Sequence, residues 1–142
     1  MAEVVPVPLQ IVDTFALIAA LNRNDPLYKR ATEHVVNIGL RRDIFVPSAT
    51  LLELDLELKA HGRNTQGRLE DHSRLQRLIP GSKVLPITPG VFTRATELSM
   101  TAATWRASYF DTLIAATGLE FGADSAITTD RKFSKLGIEP VF

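Results

Sequence analysis

The sequence has 142 residues, 45% hydrophobic and 23% charged, the size and balance of one globular domain able to bury its own core. Sixteen Lys and Arg offset sixteen Asp and Glu, which argues against a dedicated, tight, non-specific nucleic-acid binder, although an even total can hide an uneven distribution. The absence of cysteine excludes disulfides, a thiol nucleophile and any Cys-ligated metal, and no apolar run is long enough to cross a membrane.

The opening Met-Ala-Glu-Val-Val-Pro-Val-Pro lacks the basic start and apolar centre of a signal peptide, so a cytoplasmic protein is expected. Leu9 to Val12 reads as a short buried strand that delivers Asp13 at its carboxyl end, and Phe15 to Leu21 has helical spacing. Asp25-Pro26 reads as N-cap and first position of a second helix running to about Leu40. Ile44 to Pro47 is a second strand. Ser48 should cap a third helix from Ala49 to about His61, ended by Gly62. A fourth helix covers Thr65 to Leu78, Lys83 to Pro86 is a third strand, and a fifth helix runs from Thr88-Pro89 past Leu98. Asp111 to Phe121 is a sixth helix, Ser125 to Thr128 a fourth strand, and a short helix at Arg131 to Leu136 precedes an extended Ile138 to Val141. Short apolar strands alternating with longer helices predict one α/β domain over residues 1–142 with a mainly parallel sheet of four to five strands.

In such sheets functional groups gather at the carboxyl ends of strands. Asp13 follows the first strand and Asp130 the fourth; Glu53 lies one turn into the helix after the second, and Asp111 begins a helix, where it could be a simple cap. Carboxylates drawn into one cleft repel one another and take up protons unless a cation offsets the charge. Mg2+ or Mn2+ suits such oxygen donors, whereas His34, His61 and His72 stand apart with no zinc-type spacing. Sixteen acids allow many quartets by chance, so the words around each acid decide.

Those words resemble the PIN-domain nucleases, in particular the small toxins of VapBC-type toxin–antitoxin pairs. Ile11-Val12-Asp13-Thr14 is similar to the family's opening strand, and Val46-Pro47-Ser48-Ala49-Thr50-Leu51-Leu52-Glu53-Leu54 to its strand-to-helix segment. Phe110-Asp111-Thr112-Leu113-Ile114-Ala115-Ala116-Thr117 resembles the Asp-Ala-x-Ile-Ala-Ala helix, and Ile127-Thr128-Thr129-Asp130-Arg131-Lys132-Phe133 the closing Thr-x-Asp-x-x-Phe motif. The resemblance implies a three-layer α/β/α fold, a divalent-metal-dependent endoribonuclease with Asp13, Glu53, Asp111 and Asp130 as metal ligands, and Thr128 as a supporting hydroxyl with Thr14 a weaker one. It also implies an RNA substrate, an antitoxin partner and a homodimer. Phe15 and Gly118 depart from the family's small polar residue and alanine, without touching an expected ligand.

Plainer readings compete at several positions. Asp13 could merely cap a helix, and Glu57 shares a helix face with Glu53, its salt bridging to Lys59 or Arg63 being the favoured account. Trp105, Tyr109 and Phe110 fit core or interface better than base stacking; Arg131 and Lys132 could hold phosphates but read more simply as solvated charge. The Arg- and His-rich stretch from His61 to Arg77 fits a solvated face or a place for RNA or a partner. A phosphatase would need a second Asp where Phe15 stands, and a receiver-type domain an acidic pair and a Lys that are not evident. An RNA-processing nuclease without an antitoxin, or an inactive PIN-like scaffold, are the alternatives; loss of an acid would mark the scaffold, and all four are present.

Overall fold

The β-branched and apolar runs become strands because their side chains fill both faces of a sheet. In a computed structural model that describes residues 9–102 and 107–142, these strands are β1 (Leu9–Val12), β2 (Ile44–Pro47), β3 (Val84–Leu85), β4 (Ala123–Ile127) and β5 (Glu139–Val141). They form one sheet in the order β3-β2-β1-β4-β5, with every pairing parallel. Parallel neighbours cannot be joined by a hairpin, so helices carry the chain back across the sheet. These are α1 (Thr14–Leu21), α2 (Tyr28–Asn37), α3 (Ser48–Ala60), α4 (Thr65–Leu78), α5 (Pro89–Ala102), α6 (Tyr109–Glu120) and the short α7 (Lys132–Lys135). Among the described residues no helix is long and apolar enough to cross a membrane.

Alternation along the strands builds two cores. Ile11 and Ala126 point to one face, where they pack with Val91 and Ala95 of α5, Ile114 and Ala115 of α6, and Phe133. Val12 and Ile127 point to the other, against Ala16 and Leu17 of α1, Val35 of α2, Leu54 of α3 and Leu75 of α4. The result is the expected α/β/α layering.

Element starts differ from the sequence reading where side-chain bonds intervene. The second helix begins at Tyr28, because Asp25 accepts the Leu27 amide (2.8 Å) and holds residues 25–28 in a turn instead of capping a helix. Ser48 is already helical, Pro47 occupies the cap position, and no side-chain capping bond forms there. The third strand shrinks to two residues behind a 3-10 turn at Gly81–Lys83. The sixth helix starts two residues before Asp111, capped by Ser108.

Helix α6 lies between α5 and the sheet, with Asp111 through Gly118 all buried. Gly118 is what lets it approach: a Cβ there would come within 2.8 Å of Ile11 Cδ1 and 3.3 Å of Ile138 Cδ1. The absent methyl therefore sets the helix-to-sheet distance that also places Asp111, two turns earlier on the same helix. Replacing Gly118 with Leu should overpack this contact and lower stability by ~1–3 kcal/mol in urea unfolding; an unchanged midpoint would show that the contact is loose.

Candidate active site

From β1 the chain winds outward to β2 and β3, then returns to place β4 on the opposite side of β1. The connections leaving β1 and β4 thus diverge, and a crevice opens at their carboxyl ends. Asp13 and Asp130 both enter there. Asp13 directly follows β1, and its amide still bonds to the Ile127 carbonyl of β4 (3.4 Å). It occupies the cap position of α1 yet makes no side-chain capping bond, so the helix-cap reading does not hold.

Thr128 couples the two acids. Its hydroxyl donates to Asp13 Oδ2 (2.8 Å) and accepts the backbone amide of Asp130 (3.0 Å). Asp130 Oδ1 in turn accepts the Lys132 amide (2.9 Å), which fixes the turn into α7. One buried hydroxyl therefore orients a carboxylate on β1 and the loop carrying a carboxylate after β4.

Glu53 arrives on α3, the helix that follows the neighbouring strand β2. Thr14 Oγ1 donates to Glu53 Oε1 (2.6 Å), and Thr50, one turn before Glu53, donates to the Val12 carbonyl (2.8 Å). These bonds tie the first two turns of α3 to the start of α1 and the end of β1. Thr14 was the weaker supporting candidate and proves a direct partner of Glu53. Thr50 was not singled out, because nothing in sequence separates it from any other helical threonine.

Asp111 is the third residue of α6 and completes a capping box: its amide donates to Ser108 Oγ, and its Oδ2 accepts the Ser108 amide, both at 3.1 Å. It thus stabilises its helix and borders the crevice at once. The pattern Ser108-x-x-Asp111 was a usable sequence signal for this box. Lys132 Nζ stands 3.9 Å from Asp111 Oδ2 and 3.7 Å from Asp130 Oδ2, so this lysine belongs to the site and is not mere solvated charge.

Asp13, Glu53, Asp111 and Asp130 line a single open cleft with Thr14, Phe15, Glu57, Ser108 and Lys132. Glu57 lines it too, and among the described residues its side-chain neighbour is the His61 ring (Nδ1 to Oε2, 3.9 Å), not Lys59 or Arg63. Asp55 faces away and pairs with Arg68 and His72. Arg63, in the loop before α4, grips Asp71 through two bonds, and Arg68 and His72 of α4 reach Asp55 of α3, so much of the Arg- and His-rich stretch is spent on contacts that hold α3, its following loop and α4 together. Tyr109 is exposed at the start of α6, and Trp105 lies outside the described residues.

The electrostatics follow from this crowding. Burial pushes the Asp13 carboxyl up to about 7; the Thr128 hydroxyl and Thr14 amide counter that rise, and the charges of Glu53 and Asp111 add to it. Glu53 is raised as well, first by burial, then by Asp111, Glu57 and Asp130, against the pull of its bond from Thr14. Asp13 Oδ1 is buried with no hydrogen-bond partner among the described residues, a costly arrangement for any carboxylate oxygen. Among the described residues no three acids or histidines are drawn together closely enough to form a metal cage unaided. The donor set still fits a hard divalent ion, since Mg2+ keeps several waters and needs only one or two carboxylates directly. An orphaned buried oxygen amid mutually repelling carboxylates is what such an ion would satisfy.

A family-model match to the PIN domain covers residues 11–139. A search of curated protein sequences finds no match. Among solved structures the chain is similar to the VapC20 sarcin–ricin loop cleaving toxin of Mycobacterium tuberculosis (TM-score 0.73, 19% identity, 93% of this chain and 98% of that one). It is also similar to FitAcB from Neisseria gonorrhoeae (TM-score 0.72, 19% identity, 94% and 97%) and to DNA-bound VapBC from Salmonella typhimurium (TM-score 0.69, 18% identity, 95% and 98%). At these identities the likeness is one of fold.

Asp13 makes the metal-free protein pH-sensitive in a defined direction. Because its folded pKa lies above the ordinary 3.8, the proton favours the folded state. That contribution, on the order of a few kcal/mol, is complete below about pH 4 and lost as pH rises through about 7. In EDTA, melting of the wild type should therefore fall relative to Asp13→Asn between about pH 5 and about pH 8. Identical pH profiles for the two proteins would contradict the assignment.

Proposed function

Because the chain belongs to the PIN-domain family, we propose that it is a divalent-metal-dependent endoribonuclease, hydrolysing RNA phosphodiester bonds as the toxin of a toxin–antitoxin pair. The observation that carries this reading is the buried, unpartnered Asp13 Oδ1 in a cleft shared with Glu53, Asp111 and Asp130. The Mycobacterium tuberculosis neighbour is itself described as a toxin that cleaves the sarcin–ricin loop, which supports RNA as the substrate class. The VapBC assembly from Salmonella typhimurium supports a second protein, an antitoxin, as partner. The reading places the protein in the cytoplasm, as a single-domain homodimer.

Mg2+ or Mn2+ would be held by Asp13, Glu53, Asp111 and Asp130. When bound, such an ion activates water and offsets the charge that develops on the phosphodiester oxygens. The chain's own residues prepare for this. Asp13 gives up the proton that burial makes it hold near neutrality. Thr128 keeps the Asp13 carboxylate aimed, and Thr14 does the same for Glu53 through a short bond that orders its side chain. Lys132, between Asp111 and Asp130, moderates their repulsion.

Purified protein should cleave RNA with Mg2+ or Mn2+ and not in EDTA. Asp13→Asn and Asp130→Asn should each lower the rate by about a hundredfold or more. Thr128→Ala should cost about tenfold to a hundredfold, the usual effect of losing a residue that orients a metal ligand, with Thr128→Ser largely restoring it. Equal cleavage by wild type and both Asn variants would mean contamination and would sink the proposal.

A further inference from the structure

A neutral chain that gathers acids at one cleft has its cations elsewhere, and their placement is uneven. Next to the acid cleft, across Thr129, lies a second shallow pocket lined by Thr128, Thr129, Arg131, Pro140 and Phe142. Arg131 is exposed there, with no carboxylate partner among the described residues. The Phe142 ring that walls this pocket carries the Arg30 guanidinium over it at 4.6 Å. Phe15, which lines the acid cleft, stands nearly perpendicular to Phe142 with ring centres 5.4 Å apart. Two separate links, Thr129 and the Phe15–Phe142 contact, therefore join this basic ledge to the acids. His34, packed on the same ring, is held below its ordinary range, first by burial and then by the charges of Arg30 and Arg41, against the opposing charge of Glu33.

We propose that this ledge, Arg131 together with Arg30 seated on Phe142, binds the phosphate backbone of the RNA strand flanking the scissile bond. The inference rests on the nuclease reading and adds where the strand runs. A cleft of carboxylates repels every phosphate but the one whose charge a metal offsets, so neighbouring phosphates need cations close by. The ledge offers two, and among the described residues neither is tied up in an ion pair with a carboxylate. Phe142 serves to hold Arg30 flat: Arg30 covers it, and Phe15 and His34 crowd it, so the ring is not a base-stacking platform. An acidic peptide could also meet two arginines, but the direct continuity with the acid cleft favours the substrate.

The test is binding of a short fluorescein-labelled single-stranded RNA of mixed sequence to the full chain in EDTA, by anisotropy, between about 50 and about 200 mM KCl. Arg131→Ala should weaken binding by about fivefold at the low salt and lower the salt slope by about 0.7, one lost phosphate contact. Arg131→Lys should keep most of both, and Arg30→Gln should act as Arg131→Ala does. Arg77→Ala, on exposed α4, should change neither. Thermal melts check that each variant is folded; Arg131 is exposed and supports no core contact. Unchanged affinity and slope in Arg131→Ala and Arg30→Gln, or no binding by wild type, overturns the ledge. Metal-dependent cleavage by wild type is scored separately. Cleavage with an unaffected Arg131→Ala removes the ledge alone, whereas wild type inert towards RNA with Mg2+ and Mn2+ removes the nuclease reading.

Discussion

Burying a carboxylate is expensive unless its oxygens are bonded, and Asp13 is buried with only one oxygen served. Thr128 bonds Oδ2, and Oδ1 is buried with no hydrogen-bond partner among the described residues. Much else in the molecule surrounds that unresolved charge. The switch in strand order puts β1 beside β4, so Asp13 and the Thr128–Asp130 loop meet at one seam. Two further acids arrive on helices, each pinned by a bond to its own support: Glu53 to Thr14, and Asp111 to Ser108. Such spending of hydroxyls and caps on holding like charges together makes sense where a cation completes the set.

The charge pattern extends outward from this seam. Lys132 stands between two of the acids, while Arg131, the preceding residue, turns to the other side of Thr129 and the basic ledge. Adjacent residues on one short segment thus face two differently charged surfaces. The even total of acids and bases says nothing of this; the partition arises only when the loop after β4 is placed against Phe142 and Phe15.

The sheet, its parallel character and the positions of the long helices were legible because apolar periodicity and strand-end acids are local properties. Asp13 and Asp130 could be read from strand position, and Asp111 and Glu53 from the wording around them. That Glu57 shares the Glu53 face was also local, since it follows from helix spacing. What escaped was tertiary. Thr50 bonds to a carbonyl 38 residues away, and Lys132 spans acids contributed by two segments. Helix spacing offers Glu57 basic partners on its own helix or just beyond, yet Arg63 is drawn to Asp71 and Glu57 borders the cleft. Asp25 misled for a local reason: a turn and a helix cap use the same Asp-to-amide bond.

A divalent cation in the cleft around Asp13 is the central requirement of the proposed chemistry. The most direct measurement is an anomalous difference map from crystals soaked in Mn2+. A peak in contact with Asp13 Oδ1 and flanked by the carboxylates of Asp111, Asp130 or Glu53 is the predicted result. No peak in the cleft at saturating Mn2+, or a peak only elsewhere, such as beside Glu57 and His61, would contradict it.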